Sequence, residues 1–328
     1  MAKYFVTGAT GFIGGEIVKQ LVGRGHKVVA LVRSLDKAAM LKALGVEIHP
    51  GDITDRETLR APMTGVDGVF HVAAWYKVGA REEPLADRIN VDGTRNVLQT
   101  MRTLEIPRGV YTSTVAVFSD TKGSVPDETY RYDGPHLSEY DRTKWIAHYR
   151  VALPKIEEGL PLTIVMPGLV YGPGDTSGMH TALVDLLRGR LPMTPGRTAF
   201  CWAHVEDTAR GHILAMEKGT PGETYLITGP RHTFEYAFDV AAKFGHVRAP
   251  LVHPGPRTMR AVAVLMGLAR RFTTLPPALQ PEALRVLAGT TYFGSNDKAV
   301  RALGFAARPV EEGMAQTLEH ELRAIGRG

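Results

Sequence analysis

The chain has 328 residues, 44% of them apolar and 22% charged, the balance of a folded globular protein with room for one large or two ordinary domains. Its net charge of +5 reads as scattered among acids without a basic block, which argues against a nucleic-acid partner. The single cysteine, Cys201, excludes an internal disulfide and a cysteine-based metal cluster, and fits a reducing compartment.

Tyr4-Phe5-Val6 reads as a strand, and Ile13 to Leu21 as an amphipathic helix. Between them lies Thr7-Gly8-Ala9-Thr10-Gly11-Phe12-Ile13-Gly14. Glycines at 8, 11 and 14 let the backbone turn sharply, approach a pyrophosphate and pack the helix on its strand, while free N–H groups at the helix start face the anion. The spacing is one residue wider than the common dinucleotide fingerprint, so its strand-turn-helix context carries the reading.

Lys27–Val32 follows as a second strand and Asp36–Leu44 as a helix stopped by Gly45. Val46–His49 is a third strand, and Asp55 caps a helix through Met63. Gly68–Val72 is a fourth strand, Pro84–Leu104 a long helix and Val110–Ser113 a fifth strand. A polar loop, 119–138, leads to a helix over Glu139–Glu158, and Leu162–Met166 is a sixth strand. Such alternation implies an α/β fold, a doubly wound parallel sheet covered on both faces. Residues 1–172 are expected to form the dinucleotide-binding domain, with 200–228 returning to it. Residues 173–199 and 229–328 are expected to form a smaller C-terminal substrate lobe.

Strand 2 closes on Val32-Arg33-Ser34, with Lys37 one helical turn on. A carboxylate at this place would accept from both ribose hydroxyls, whereas a guanidinium pairs with a 2′-phosphate, so NADP is favoured over NAD. An ordinary solvated arginine and an NAD site is the competing reading. Asp52 is placed to accept from an adenine amino group, or serves as a turn residue with Gly51.

Tyr140 and Lys144 stand four apart on one helix face. An ammonium beside a phenol stabilises the phenolate and makes it useful as an acid or base near neutrality. Ser113 and Thr114, at the end of the preceding strand, offer a hydroxyl partner. The histidines at 71, 180, 204 and 212 have no metal-ligand spacing, so no metal is expected, and His148 is expected to point along the surface. The apolar stretch Ala261–Ala269, bracketed by Arg260, Arg270 and Arg271, is too short to span a membrane. It reads first as a helix covering a pocket or a partner, and second as a membrane-surface element. Because Met1 lies within three residues of the first strand, no targeting segment is expected, and a cytoplasmic location is the default.

Thr7 to Gly14, Gly51-Asp52 with Asp55, His71-Val72-Ala73-Ala74, Asn90-Val91-Asp92-Gly93-Thr94, Tyr111-Thr112-Ser113-Thr114, Tyr140 with Lys144, Pro167 with Tyr171-Gly172-Pro173, and His204-Val205-Glu206-Asp207 together resemble the extended short-chain dehydrogenase/reductase family. Tyr225-Leu226-Ile227-Thr228 and Ala302-Leu303-Gly304-Phe305 point to its dihydroflavonol-reductase-like and 3β-hydroxysteroid-dehydrogenase-like branch. The resemblance implies a Rossmann-like domain with a small C-terminal substrate lobe and hydride transfer at a nicotinamide, with Tyr140 as acid/base, Lys144 as its tuner and a ribose ligand, and Thr114 as the hydroxyl that orients the substrate oxygen. Ser113 would then support backbone structure. Joined to the residue-level reading, it places cofactor contacts at Gly8, Thr10, Gly11, Phe12, Ile13, Gly14, Arg33, Lys37, Asp52, Ile53, Ala73, Ala74, Asn90, Thr112, Tyr140, Lys144, Pro167 and Val170. Asn90 would hold the loop beside the site.

Nucleotide-sugar epimerases of this family usually carry an arginine four residues before the histidine matched by His204; here Phe200 occupies that place, with Arg197 three residues earlier. The expected reaction is therefore carbonyl–alcohol interconversion on a small to medium, partly apolar substrate. Trp75, Tyr76, Trp202 and Met179 are its pocket candidates, though each could equally be core. The alternatives are a sugar epimerase or dehydratase that retains NAD, and a non-enzymatic NADP sensor. The resemblance also implies a homodimer.

Overall fold

The computed structural model describes residues 1–76 and 83–326. Eleven strands form among them: β1 (Lys3–Thr7), β2 (Lys27–Val32), β3 (Glu47–Pro50), β4 (Gly68–His71), β5 (Gly109–Thr112), β6 (Leu162–Pro167), β7 (Leu169–Tyr171), β8 (Ala199–His204), β9 (Thr224–Ile227), β10 (Arg231–Thr233) and β11 (Thr291–Tyr292). Seven make one sheet in the order β3-β2-β1-β4-β5-β6-β9, and every neighbouring pair is parallel. The order reverses between β1 and β4, where Thr7 pairs with His71, and this switch opens a crevice at the carboxyl ends of the strands. The fold is Rossmann-like.

The central strands are apolar along their whole length because both faces are covered. Successive residues of β1 feed opposite cores: Phe5 packs with Leu59, Met63 and Leu98, and Val6 with Ile17, Val18 and Leu21. The second sheet has β8 at its centre, antiparallel to β10 and parallel to β7 and β11. The return to the large sheet thus begins with the helix Val205–Lys218 and β9, later than residue 200, since β8 pairs only within the small sheet.

Local differences from expectation have local causes. The segment Asp36–Leu44 is a 3-10 turn, Leu35–Ala38, followed by the short helix Ala39–Ala43. Asp55 accepts from the N–H of Glu57, so its helix starts two residues later, at Glu57. Both long helices contain one wide turn: Asp87–Gly93 lies between Glu83–Ala86 and Thr94–Thr103, and Ala147–Ala152 between Glu139–Ile146 and Leu153–Glu157. Such π-type turns rotate side chains off the regular helical face.

Candidate active site

The glycine turn leaves β1 with Gly8 at φ +73°, and the N–H of Gly11 closes on the Gly8 carbonyl at 2.9 Å. A Cβ on Gly14 would stand 2.1 Å from the Gly8 oxygen, and one on Gly8 would stand 2.8 Å from the nitrogen of Ala73. These two glycines are therefore required by close backbone approach. At Gly11 an added Cβ would meet only the Gly8 oxygen, at 3.1 Å, and would otherwise take up space in the crevice. The helix Phe12–Gly23 has no side-chain cap and no acidic residue in its first turn, leaving its N–H groups open to an anion.

A buried network fixes the opposite wall. Thr94 donates to the Asn90 carbonyl at 2.7 Å, so His71 Nε2, 3.0 Å away, donates to Thr94, and His71 Nδ1 accepts from Thr7 at 2.8 Å. Thr7 in turn accepts from the N–H groups of Val72 and Ala73, both at 3.2 Å, which holds Ala73 beside Gly8. Burial, helped by the nearby Lys144, lowers the His71 pKa to about 3, so the ring stays neutral in this role. Asn90, inside the first wide turn, accepts from the N–H of Trp75 (2.7 Å) and donates to Trp75 O (3.1 Å) and Thr143 (2.9 Å).

The crevice has a volume of about 650 Å³. Its walls include Gly8, Thr10, Gly11, Phe12, Ile13 and Gly14 from the glycine turn, Arg33, Asp52 and Ile53 from the ends of β2 and β3, and Ala73 and Ala74 beyond β4. Thr112, Thr114, Tyr140, Lys144, Pro167 and Val170 line it further along. Two expected contacts stand off the crevice walls: Lys37 sits exposed on the 3-10 turn and Asn90 is buried behind them. Asp52 has its turn role in any case, since its Oδ1 accepts from Thr54 N at 2.8 Å.

At the chemical end, the Thr114 hydroxyl lies close enough to the Tyr140 phenol to act on its pKa, and it accepts from Ala116 N at 3.2 Å. Tyr76 lies edge-on to the Tyr140 ring at 4.8 Å. Burial pushes the Tyr140 phenol well above its ordinary range, and the Thr114 hydroxyl opposes that shift. Lys144 is 3% exposed and donates to Thr112 O at 2.7 Å and Tyr111 Oη at 3.1 Å, and burial brings its pKa down to about 7. This lysine can therefore change charge near neutrality, unlike a solvated one.

The second wide turn overturns the expected position of His148. The ring is 3% exposed, its Nδ1 is 2.8 Å from Ser113 Oγ, and burial together with Lys144 lowers its pKa to about 3. Ser113 is thus engaged behind the site while Thr114 faces Tyr140. Trp202 and Met179 are core residues outside the crevice, whereas Trp75, Tyr76 and Phe200 line it. Arg197 opens onto a separate hollow with Arg257 and Arg260, so it does not replace the arginine missing at Phe200.

Residues that the sequence did not single out complete the walls. Asp141 accepts from Ser138 Oγ at 2.7 Å and Tyr292 Oη at 3.0 Å, and burial raises its pKa to about 7. Tyr292 stacks on Phe200 with centroids 5.7 Å apart and planes 9° from parallel. Asp141 stands inside the Tyr140–Lys144 spacing, a signal that could have drawn attention to it; Tyr292 and Val286 carry none.

Residues 4–228 match the profile of the NAD dependent epimerase/dehydratase family. The chain is 34% identical over 308 residues to "Sterol demethylase protein B" of Methylococcus capsulatus, covering 91% of this chain and 92% of that protein. It is 32% identical to a farnesyl-dihydroquinoline-oxide ketoreductase of Stigmatella aurantiaca (93% and 92% covered) and 30% identical to a "3 beta-hydroxysteroid dehydrogenase/Delta 5-->4-isomerase" of Mycobacterium tuberculosis (93% and 86%). Among solved structures, gox2253 superposes with a TM-score of 0.85 at 30% identity, covering 100% of this chain and 99% of that one. A nucleoside-diphosphate-sugar epimerase from Pseudomonas aeruginosa, at 24% identity and a TM-score of 0.79 with 99% of both chains covered, shares the fold. The chain belongs to the NAD dependent epimerase/dehydratase family and is an NAD(P)-dependent oxidoreductase of its extended short-chain dehydrogenase/reductase branch.

Proposed function

We propose that this enzyme interconverts a ketone or aldehyde with its alcohol on a partly apolar substrate, using NADP in preference to NAD. The observation that carries the substrate class is the apolar lining: Trp75, Leu85, Leu169, Phe200, Val286 and Tyr292 share the crevice with Tyr140. Among the described residues lining the crevice, Arg33 and Lys144 are the only cations, and Arg33 stands at the far end beside β2. Phe200 stacked on Tyr292 leaves no guanidinium to grip a sugar diphosphate at that place. The small sheet and the helices after Phe234 serve as the substrate lobe.

Gly8, Gly11, Gly14 and the open helix start would hold the pyrophosphate, Ala73 and Ala74 the adjoining ribose, and Pro167 and Val170 the nicotinamide face. The bound dinucleotide supplies or takes up the hydride. Tyr140 gives its proton to the substrate oxygen in reduction and removes it in oxidation. Thr114 donates to the same oxygen and aligns it. Lys144, protonated, would stabilise the phenolate left on Tyr140, whose pKa burial drives upward. Apolar walls keep water from competing for that proton.

The test is turnover of NADPH on a panel of carbonyl compounds graded from sugars to long-chain and polycyclic ketones, with Tyr140→Phe as control. The reading predicts activity on apolar carbonyls and a loss of about 100-fold or more in Tyr140→Phe, with NADPH binding retained. Full turnover by folded Tyr140→Phe would refute the mechanism. Tightly retained NAD and activity confined to nucleotide sugars would replace the reading with an epimerase.

A further inference from the structure

The chain's positive charge is less evenly spread than its composition suggests. Between Asp239 and Glu282 there is no acidic residue, while Lys243, Arg248, Arg257, Arg260, Arg270 and Arg271 all fall there. Those six cations exceed the net charge of +5, so the rest of the molecule is close to neutral. The same segment holds the helix Pro256–Ala269, whose two faces are both apolar. One face is in use: Met259 and Ala263 pack with Leu284 and Ala288. On the other, Val264, Leu265 and Leu268 are 67%, 59% and 53% exposed, and Phe272, just past the helix, is 89% exposed. Spacings of three and four residues put 261, 264 and 268 along one stripe, and Phe272 follows in the turn after it. An ordinary surface helix is polar there. Arg257 and Arg260 lie at its beginning and Arg270 and Arg271 at its end, so the apolar stripe is framed by cations.

We propose that this helix and the turn after it form a docking surface for an anionic lipid bilayer, with the stripe at the acyl boundary and the arginines among the headgroups. Three observations select this occupant. At about 1.5 Å per residue, 14 residues reach about 21 Å, too short to cross a hydrocarbon core but suited to lying in the interface. No helix among the described residues is long and apolar enough to cross a membrane. A second copy presenting the same face across a two-fold axis would set arginines against arginines, since cations stand at both ends of the stripe. A negatively charged bilayer complements both the stripe and its frame. Arg197, Arg257 and Arg260 also share one hollow with His253 and Glu235, whose carboxylate lies 3.8 Å from the His253 ring, so three guanidiniums outnumber one acid there.

The buried side of the helix packs on the helix Pro281–Val286, whose Val286 lines the crevice wall, so one helix separates the stripe from the site. The proposal does not depend on which substrate is converted.

The test is cosedimentation of the full-length protein with large phosphatidylcholine vesicles, with and without phosphatidylglycerol. The expected result is pelleting with the anionic vesicles only, weakened by salt. The triple variant R257Q/R260Q/R271Q should partition about 100-fold more weakly, from the usual contribution of each basic residue near an anionic surface. L265D/L268D should abolish pelleting while circular dichroism and NADPH binding stay as in the unsubstituted protein. Equal behaviour with neutral and anionic vesicles, or variants that pellet unchanged, would overturn the proposal. So would a vesicle-free dimer that L265D/L268D dissociates, which would assign the face to a second copy.

Discussion

On the proposed reading Arg33 sets the preference for NADP, and the structure allows the effect of removing it to be bounded. The residue follows β2, is exposed, lines the crevice and has no ion-pair or hydrogen-bond partner among the described residues. Arg33→Gln should therefore leave folding stability within about 0.5 kcal/mol of the unsubstituted protein. A hydrogen bond to a charged group contributes about 1.5–3 kcal/mol when protected from water. Exposure and salt reduce that, so about 1–2 kcal/mol is expected, a rise of about 5- to 30-fold in the NADPH dissociation constant. NADH lacks the 2′-phosphate, and its affinity should change by less than about twofold. Lys37→Gln, outside the crevice, should leave both ligands within about twofold. Fluorescence titration of the cofactor-stripped protein with NADPH and NADH, at low and high ionic strength, measures all of this. If Arg33→Gln weakens both nucleotides equally, or neither, the guanidinium is a solvated strand-end residue and the NADP preference falls.

Three further outcomes follow from the same geometry. Asp141 keeps its proton to about pH 7 in the folded protein but releases it near 3.8 when unfolded, so between those values the native state binds more protons and stability falls as pH rises, levelling off above 7. Asp141→Asn removes that dependence; relative to the unsubstituted protein it should gain stability from about pH 4 to about pH 8, by at most about 4 kcal/mol, and a pH-independent difference in denaturant midpoints would contradict the buried carboxyl. Ser113→Ala leaves the buried His148 Nδ1 without its 2.8 Å partner and should cost about 1–3 kcal/mol of stability with turnover largely kept, whereas Thr114→Val should fold normally and lose turnover. The reverse pattern in paired melting and kinetic measurements would exchange the roles of the two hydroxyls. Gly14→Ala places a Cβ against the Gly8 carbonyl, and a shift of the turn costing about 1–3 kcal/mol should appear as a lower melting temperature together with weaker binding of both nucleotides; an unchanged protein would show that the turn yields freely.

The alternation of strands and helices, the glycine turn and the four-residue spacing of Tyr140 and Lys144 were legible in the sequence because each is local. Strand runs, a turn of three glycines and one helical face are written within a few consecutive residues, and the sheet order follows from right-handed crossovers. What the sequence did not carry depends on segments far apart meeting. Tyr292 reaches Asp141 from 151 residues away, and Phe200 stacks on it only because β11 runs beside β8. His148 read as a surface residue on regular helical spacing, but the wide turn over Ala147–Ala152 turned it under Ser113. Trp202 and Met179 looked as suited to a pocket as Trp75, because hydrophobicity says that a side chain is buried and not against what. The exposed stripe on Pro256–Ala269 was the reverse case: its apolar residues were plain in the sequence, but only packing of one face on the following helix revealed that the other is left exposed.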